Sequence, residues 1–377
     1  MIKILTVIGA RPQIIKAAAI SRAIKNHFSS DITEEILHTG QHYDQRMSEV
    51  FFEELGIPTP DHQLNVGSGS HGVQTADMIK GIEEILINGK HDALLVYGDT
   101  NSTLAGALAA VKIHIPVFHV EAGLRSFNKA MPEEINRITC DHSSSMLFSP
   151  TTTGLENLKN EGFKVDAEAP YSPDNPGVFH CGDVMYDNSL HFAELADVRV
   201  KNIDLPESFA LVTIHRPYNT DDPERLVALI ERLVAFSEAK SIDLYVPMHP
   251  RTKNILAQHA ADKLEQWSGS SRVHITEPVS FLEMIYLEKN AQMIITDSGG
   301  VQKEAYFFKK PSVVIRTETE WVELVEHGSA RLGFQLDSAL AEGLAHAYHY
   351  KETEFPPIFG DGKASEFICR KIVEYFQ

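Results

Sequence analysis

Short, largely apolar runs recur along this chain, and each stops at a polar or glycine-bearing turn. Residues 2–8, 36–38, 93–97, 117–120 and 146–148 form one series. Residues 209–214, 244–246, 291–296 and 312–315 form a second. A strand apolar on both faces is buried on both faces, which describes the centre of a parallel sheet covered by helices. Parallel neighbours need crossover connections, and the stretches between the runs carry helix signals. Pro12 suits the first turn of a helix running through Ala17-Ala18-Ala19-Ile20 to about His27. Gly98-Asp99-Thr100-Asn101-Ser102-Thr103 ends one strand and caps a small-residue helix over 104–111. The rhythm breaks at 164–177, where Pro170, Pro173, Pro176 and Gly177 mark a loop near a domain boundary. The expected class is α/β, with two doubly wound Rossmann-like domains facing a cleft.

Length and composition agree. The 377 residues suit two domains, and a chain this long can bury a core without disulfide or metal staples. Lys and Arg number 34 against 52 Asp and Glu, a formal charge of −18, which argues against nucleic acid or an anionic membrane as the main partner. Cys140, Cys181 and Cys369 are widely spaced and odd in number, so neither a zinc site nor a disulfide framework emerges, and a reducing cytoplasm is expected. The N-terminal apolar run is too short for a secretion signal or a membrane span.

In open parallel sheets ligands bind beyond the carboxyl ends of the strands. The polar residues found there are Arg11 and Lys16, Asp99, and Glu121 with Arg125 in the first half. The second half contributes His215, His249 with Arg251, Asp297-Ser298-Gly299-Gly300, and Arg316. Arg11 and Lys16 flank a helix start, where cations oppose the dipole unless an anion binds; as solvated surface groups they would need no ligand. Ser298-Gly299-Gly300 opens a helix after a buried strand, a turn that lets phosphate approach backbone N–H groups, though such turns also serve structure alone. Glu304, about one turn further, can reach ribose hydroxyls or stand as a surface carboxylate. Asp99, Glu121 and the pair Glu133-Glu134 are acid-base candidates; clustered carboxylates repel and so raise a pKa. Asp99 reads equally as a helix cap, and Glu133 as a first-turn carboxylate favoured by the dipole. No Gly-x-Ser-x-Gly elbow is present.

Taken together, Gly9-Ala10-Arg11-Pro12-Gln13, His38-Thr39-Gly40-Gln41-His42, Tyr97-Gly98-Asp99-Thr100, His119-Val120-Glu121-Ala122-Gly123-Leu124-Arg125, Pro132-Glu133-Glu134-Ile135-Asn136-Arg137, Asp297 to Glu304 and Gly360-Asp361-Gly362-Lys363-Ala364 resemble the bacterial UDP-N-acetylglucosamine 2-epimerases, in order from residue 2 to about 370. The resemblance implies the glycosyltransferase-B type of fold. Residues 1–170 with 360–377 would form the N-terminal domain, and 178–358 the UDP-binding domain. It implies no cofactor and no metal, a UDP-sugar as partner, and a homodimer. The implied reaction interconverts UDP-GlcNAc and UDP-ManNAc by elimination of UDP to a glycal and re-addition. By motif, the acid-base set is Asp99, Glu121 and Glu133, with Lys16 and His215 beside them. Arg11, His215, Ser298, Gly299 and Gly300 would hold the diphosphate and Glu304 the ribose. Arg125, Arg137 and Arg316 are counted with the substrate-binding groups.

The sequence departs from the commonest family pattern at three places. His215-Arg216-Pro217-Tyr218-Asn219 stands for His-Arg-Arg-Glu-Asn, and Arg316 to Glu323 for Arg-Asp-Thr-Thr-Glu-Arg-Pro-Glu. Val66 to Gly72 replaces a segment that in some members gives an arginine to a second, activating site, while Gln41 and His42 are kept. The run at 318–326 is similar to the branch acting on UDP-2,3-diacetamido-2,3-dideoxyglucuronate. A hydrolysing epimerase, a glycosyltransferase of the same fold and a nucleotide-sugar sensor are the rival functions.

Overall fold

The computed structural model describes residues 1–40, 58–67, 69–351 and 355–377. Gln41, His42 and Ser68 lie outside them. The chain divides into two compact units, Met1–Asn188 with Pro357–Gln377, and Ser189–Pro356.

In the first unit, β1 (Ile2–Ile8), β2 (Ile32–His38), β3 (His62–Gln63), β4 (Ala93–Tyr97), β5 (Val117–Val120), β6 (Met146–Ser149) and β7 (Gly177–His180) form one sheet in the order 3-2-1-4-5-6-7. Every pairing is parallel. Chain order reverses between β1 and β4, which is the switch point where doubly wound sheets leave a crevice. The five residues of β4 are all buried, as a strand with helices on both faces requires. Burying each large aliphatic side chain stabilises by roughly 1.5–3 kcal/mol. Helix Asn101–Lys112 lies close on this sheet because its buried face is alanine and glycine; a Cβ at Gly106 would come within 3.1 Å of Val96. The helix expected to run to about His27 is α-helical over Arg11–Ala23 and continues as a π-helical turn over Ile24–Phe28.

The second unit repeats the plan. Strands β8 (Phe209–Thr213), β9 (Asp243–Pro247), β10 (Val273–Thr276), β11 (Met293–Thr296), β12 (Ser312–Val314) and β13 (Ala330–Leu332) order as 10-9-8-11-12-13, all parallel, with the switch point between β8 and β11. Val212, Met293, Ile295 and Val313 form its core with Leu226, Leu229 and Leu233 from helix Pro223–Lys240.

The loop at 164–177, expected near the domain boundary, is followed by β7, which pairs with β6 as an edge of the first sheet. The first unit continues to Asn188. The terminal helix Ala364–Tyr375 belongs to the same unit, and its Ala364 and Ser365 N–H groups donate to Asp187 at 3.1 and 2.8 Å. No helix among the described residues is long and apolar enough to cross a membrane.

Candidate active site

The first unit gathers its candidates at the β1–β4 switch point and beside β5. Helix Arg11–Ala23 follows β1 after a tight turn closed by Gln13, whose Oε1 accepts from Gly9 N at 2.9 Å and Ala10 N at 3.2 Å. That helix carries Lys16, whose ammonium donates to Glu121. Glu121 follows β5 and has a left-handed backbone, φ 72°, an uncommon and costly conformation for a residue with a side chain. Its N–H and that of Ala122 both donate to Phe148 O at 3.0 Å. The Glu121 carboxylate covers Gly98: a Cβ there would lie 3.2 Å from Glu121 Oε2 and 3.4 Å from Lys16 Nζ, and Gly98 itself has φ 61°.

Asp99 comes next. The cap of helix Asn101–Lys112 is Thr100, which accepts from Thr103 N, so Asp99 is released from the capping role. Its carboxylate pairs with Arg137, and its carbonyl accepts from Asn136 Nδ2 at 2.9 Å. Arg137 also pairs with Glu134 at 2.9 Å. The expectation that clustered carboxylates stand in mutual repulsion gives way to a matched arrangement, with Lys16 against Glu121 and Arg137 against Asp99.

Glu133 and Glu134 divide cleanly. Glu134 is buried and accepts from Ser126 N, Ser126 Oγ and Phe127 N at 2.9–3.0 Å. Burial would raise its pKa, but those donors and Arg137 hold it below the usual range. Glu133 is exposed and lines a cavity of about 370 Å³ with Asp99, His71, Asn101 and Asn136. Of the pair, Glu133 is the one open to a ligand.

Arg125 requires a correction. It was expected among the substrate-binding cations, but its side chain is 1% exposed and committed to Asp141 at 2.8 Å and Glu161 at 2.7 Å. A guanidinium buried against two carboxylates anchors a turn. Sequence position, just past a strand end, could not distinguish this from a ligand-facing arginine.

In the second unit the switch point brings His215, after β8, beside Asp297, after β11. Asp297 is buried and accepts from His215 N, Arg216 N, Asn219 Nδ2 and His215 Nδ1 at 3.0–3.1 Å. Burial would raise the Asp297 pKa; His215, Asn219 and the Arg216 N–H outweigh it and hold it low. An ionised Asp297 orders the His215 ring with the proton on Nδ1, so that Nε2 takes no part in that contact. Asp297 stands among the strand-end polar residues of the sequence, but no role is expected of it there. Its signal was present in a carboxylate directly after an apolar strand, one residue before Ser298.

Ser298 caps helix Gly299–Phe307 through Val301 N. A Cβ at Gly299 would meet nothing nearer than 3.5 Å, and at Gly300 nothing nearer than 3.9 Å. Packing within the chain does not demand glycine at either position, whereas a phosphate seated on the helix N-terminus would. Arg316 Nη1 lies 3.8 Å from the Gly299 Cβ position, and Glu304 Oε2 lies 3.9 Å from that of Gly300. A cation and a carboxylate thus border the same turn. Trp321 Nε1 donates to Gly299 O at 3.0 Å. Arg11 is exposed at the start of its helix in the first unit.

The fold and these two clusters define a nucleotide-sugar enzyme of the glycosyltransferase-B type, with paired carboxylates in one unit and a Ser-Gly-Gly helix start in the other. Comparison with known proteins narrows the class. A family model described as UDP-N-acetylglucosamine 2-epimerase matches residues 23–373, and the chain belongs to that family. It is 46% identical to a UDP-N-acetylglucosamine 2-epimerase homolog of Methanococcus maripaludis, covering 99% of this chain and 98% of the relative. It is 45% identical to the UDP-2,3-diacetamido-2,3-dideoxy-D-glucuronate 2-epimerase of Pseudomonas aeruginosa, covering 99% of each. The solved UDP-GlcNAc 2-epimerase of Methanocaldococcus jannaschii, 38% identical, matches with a TM-score of 0.86 over 99% of this chain and 100% of that one.

Proposed function

We propose that this protein inverts C2 of a UDP-2-acetamido sugar and interconverts UDP-GlcNAc and UDP-ManNAc. One carboxylate removes the C2 proton. The electron pair of that C–H bond becomes the C1–C2 double bond, and UDP departs with the electrons of the C1–O bond. UDP then re-adds at C1 while a second acid returns a proton to the opposite face of C2. Asp99, Glu121 and Glu133 supply the proton traffic, with Lys16 paired to Glu121 and Arg137 to Asp99. Arg11, His215, Arg316 and the Ser298-Gly299-Gly300 turn stabilise the departing diphosphate, and Glu304 takes the ribose. The observation that carries this reading is the Glu121 carboxylate lying over Gly98 beside Lys16, next to Asp99. A glycosyltransferase would have no use for such a cluster. The test is incubation with UDP-GlcNAc alone: a C2 epimer formed without acceptor supports the reading, and free N-acetylmannosamine with UDP marks the hydrolysing alternative.

A second reading, epimerisation of the diacetamido uronate, is favoured by Trp321. This residue, from the run similar to that branch, is tied to the phosphate turn and lies 4.2 Å beneath Lys303 Nζ. Comparing kcat/KM for the two UDP-sugars separates them. A homodimer in the cytoplasm is the setting this reading expects, and light scattering tests the dimer.

A further inference from the structure

His119 and Asp141 have no part in the proton transfers above, yet both are wholly buried. His119 Nδ1 lies 2.7 Å from Asp141 Oδ1, and Nε2 lies 2.7 Å from Gly98 O. A backbone carbonyl only accepts, so Nε2 carries a proton. Asp141 also accepts from Gly123 N at 3.2 Å and faces Arg125 at 2.8 Å through Oδ2. A carboxyl beside a guanidinium and an N–H donor is ionised, so Nδ1 carries a proton as well. The ring is therefore an imidazolium. The local charge closes: His119 and Arg125 are matched by Asp141 and Glu161, with the buried Cys140 thiol the other titratable neighbour. Burial would lower the His119 pKa, but Cys140 and Asp141 outweigh it and hold it well above the ordinary value.

This pair spans the two turns that bear the acid-base carboxylates. One end grips Gly98, the residue before Asp99. The other grips Gly123, two residues after Glu121, and His119 itself lies two residues before Glu121. The two turns hold three left-handed residues, Gly98 in one and Glu121 and Gly123 in the other, at φ 61°, 72° and 80°. Glycine adopts such a conformation freely, but at Glu121 it persists only where surrounding structure enforces it. We infer that His119 and Asp141 are positioning residues for the epimerase: a buried imidazolium–carboxylate pair that sets Asp99 and Glu121 relative to one another. The inference rests on the proposed reaction for its consequence, but not for the ion pair.

Two measurements test it. In protein carrying ¹⁵N-labelled histidines, the His119 ring, assigned by its loss in His119→Gln, stays doubly protonated from pH 6 to pH 9. A ring that is neutral at pH 7 overturns the proposal and needs no folded variant to show it. In kinetics, His119→Asn keeps an amide for Asp141 but cannot reach Gly98 O. Its kcat falls ~10²-fold, the scale of a roughly 1 Å misplacement, while UDP affinity stays within about 3-fold. His119→Gln, whose amide can meet Gly98 O, recovers at least ~10-fold of that loss. Unchanged kcat in folded His119→Asn, or equal losses of kcat and UDP affinity, contradicts the assignment. If the wild type turns over neither UDP-sugar, the functional reading fails while the ring measurement still decides the ion pair.

Discussion

Asp297 Oδ1 lies 3.1 Å from His215 Nδ1, and the same carboxylate accepts from the backbone N–H groups of His215 and Arg216. It therefore fixes the ring and the turn that carries it. Asp297→Asn presents an N–H where an acceptor is needed and turns the ring over. Turnover is expected to fall at least ~10²-fold, the scale of a misdirected acid-base or leaving-group residue. Rates of the purified variant, with circular dichroism to show it folded, check this; wild-type turnover would exclude the orienting role.

For the carboxylates, Asp99→Asn, Glu121→Gln and Glu133→Gln are each expected to lower turnover at least ~10²-fold with UDP affinity nearly intact. Calorimetry with UDP and initial rates with the UDP-sugar separate the two effects. Near wild-type rates in all three would remove the acid-base assignment.

Arg125 and Arg316 are expected to part company. Arg125 is buried against Asp141, and deleting one partner of such a pair costs about 3–5 kcal/mol. Arg125→Ala should therefore unfold at lower denaturant. Arg316 pairs with Glu320, whose side chain is 55% exposed, so Arg316→Ala should lose little stability. It should instead weaken UDP binding by ~1.5–3 kcal/mol, the range for a charged hydrogen bond. Denaturant midpoints and UDP isotherms for both variants test the contrast.

The buried His38 ties stability to pH. Its Nδ1 accepts from Gly40 N at 3.0 Å, and burial lowers its pKa from 6.5 to about 4. As pH falls below 6.5 the unfolded chain takes up this proton and the folded one does not. Stability from this group is complete above that pH and is lost as pH falls toward about 4. The full loss is about 3 kcal/mol at 1.36 kcal/mol per pH unit. Urea midpoints at pH 7.5 and 5 should differ accordingly, and the difference should shrink in His38→Gln.

How far the sequence could be read follows strand position. The central strands β1, β4, β5, β8, β11 and β12 are apolar runs and were legible. The four edge strands were not. At β3 the two residues are His62 and Gln63, β7 follows a Pro-rich loop, β10 alternates as Val-His-Ile-Thr, and β13 has three residues, one of them Arg331. Edge strands are half-covered and short, so they lack the signal that marks a strand buried on both faces. In the site, Asp99, Glu121, Glu133, His215 and Ser298 were visible as polar residues at strand or helix ends. What escaped was partnership. Asp297 behind His215, Asp141 behind His119, and the inward turn of Arg125 depend on residues from 16 to 82 positions apart, and no local pattern encodes such distances.

The proposed reaction removes and returns the C2 proton, so the most direct measurement is turnover of UDP-GlcNAc in D₂O. UDP-ManNAc carrying deuterium at C2 is expected, with deuterium also entering recovered UDP-GlcNAc and no free sugar accumulating. Formation of the epimer with its original hydrogen retained, or no turnover of UDP-GlcNAc or the diacetamido uronate by folded, UDP-binding protein, would contradict it.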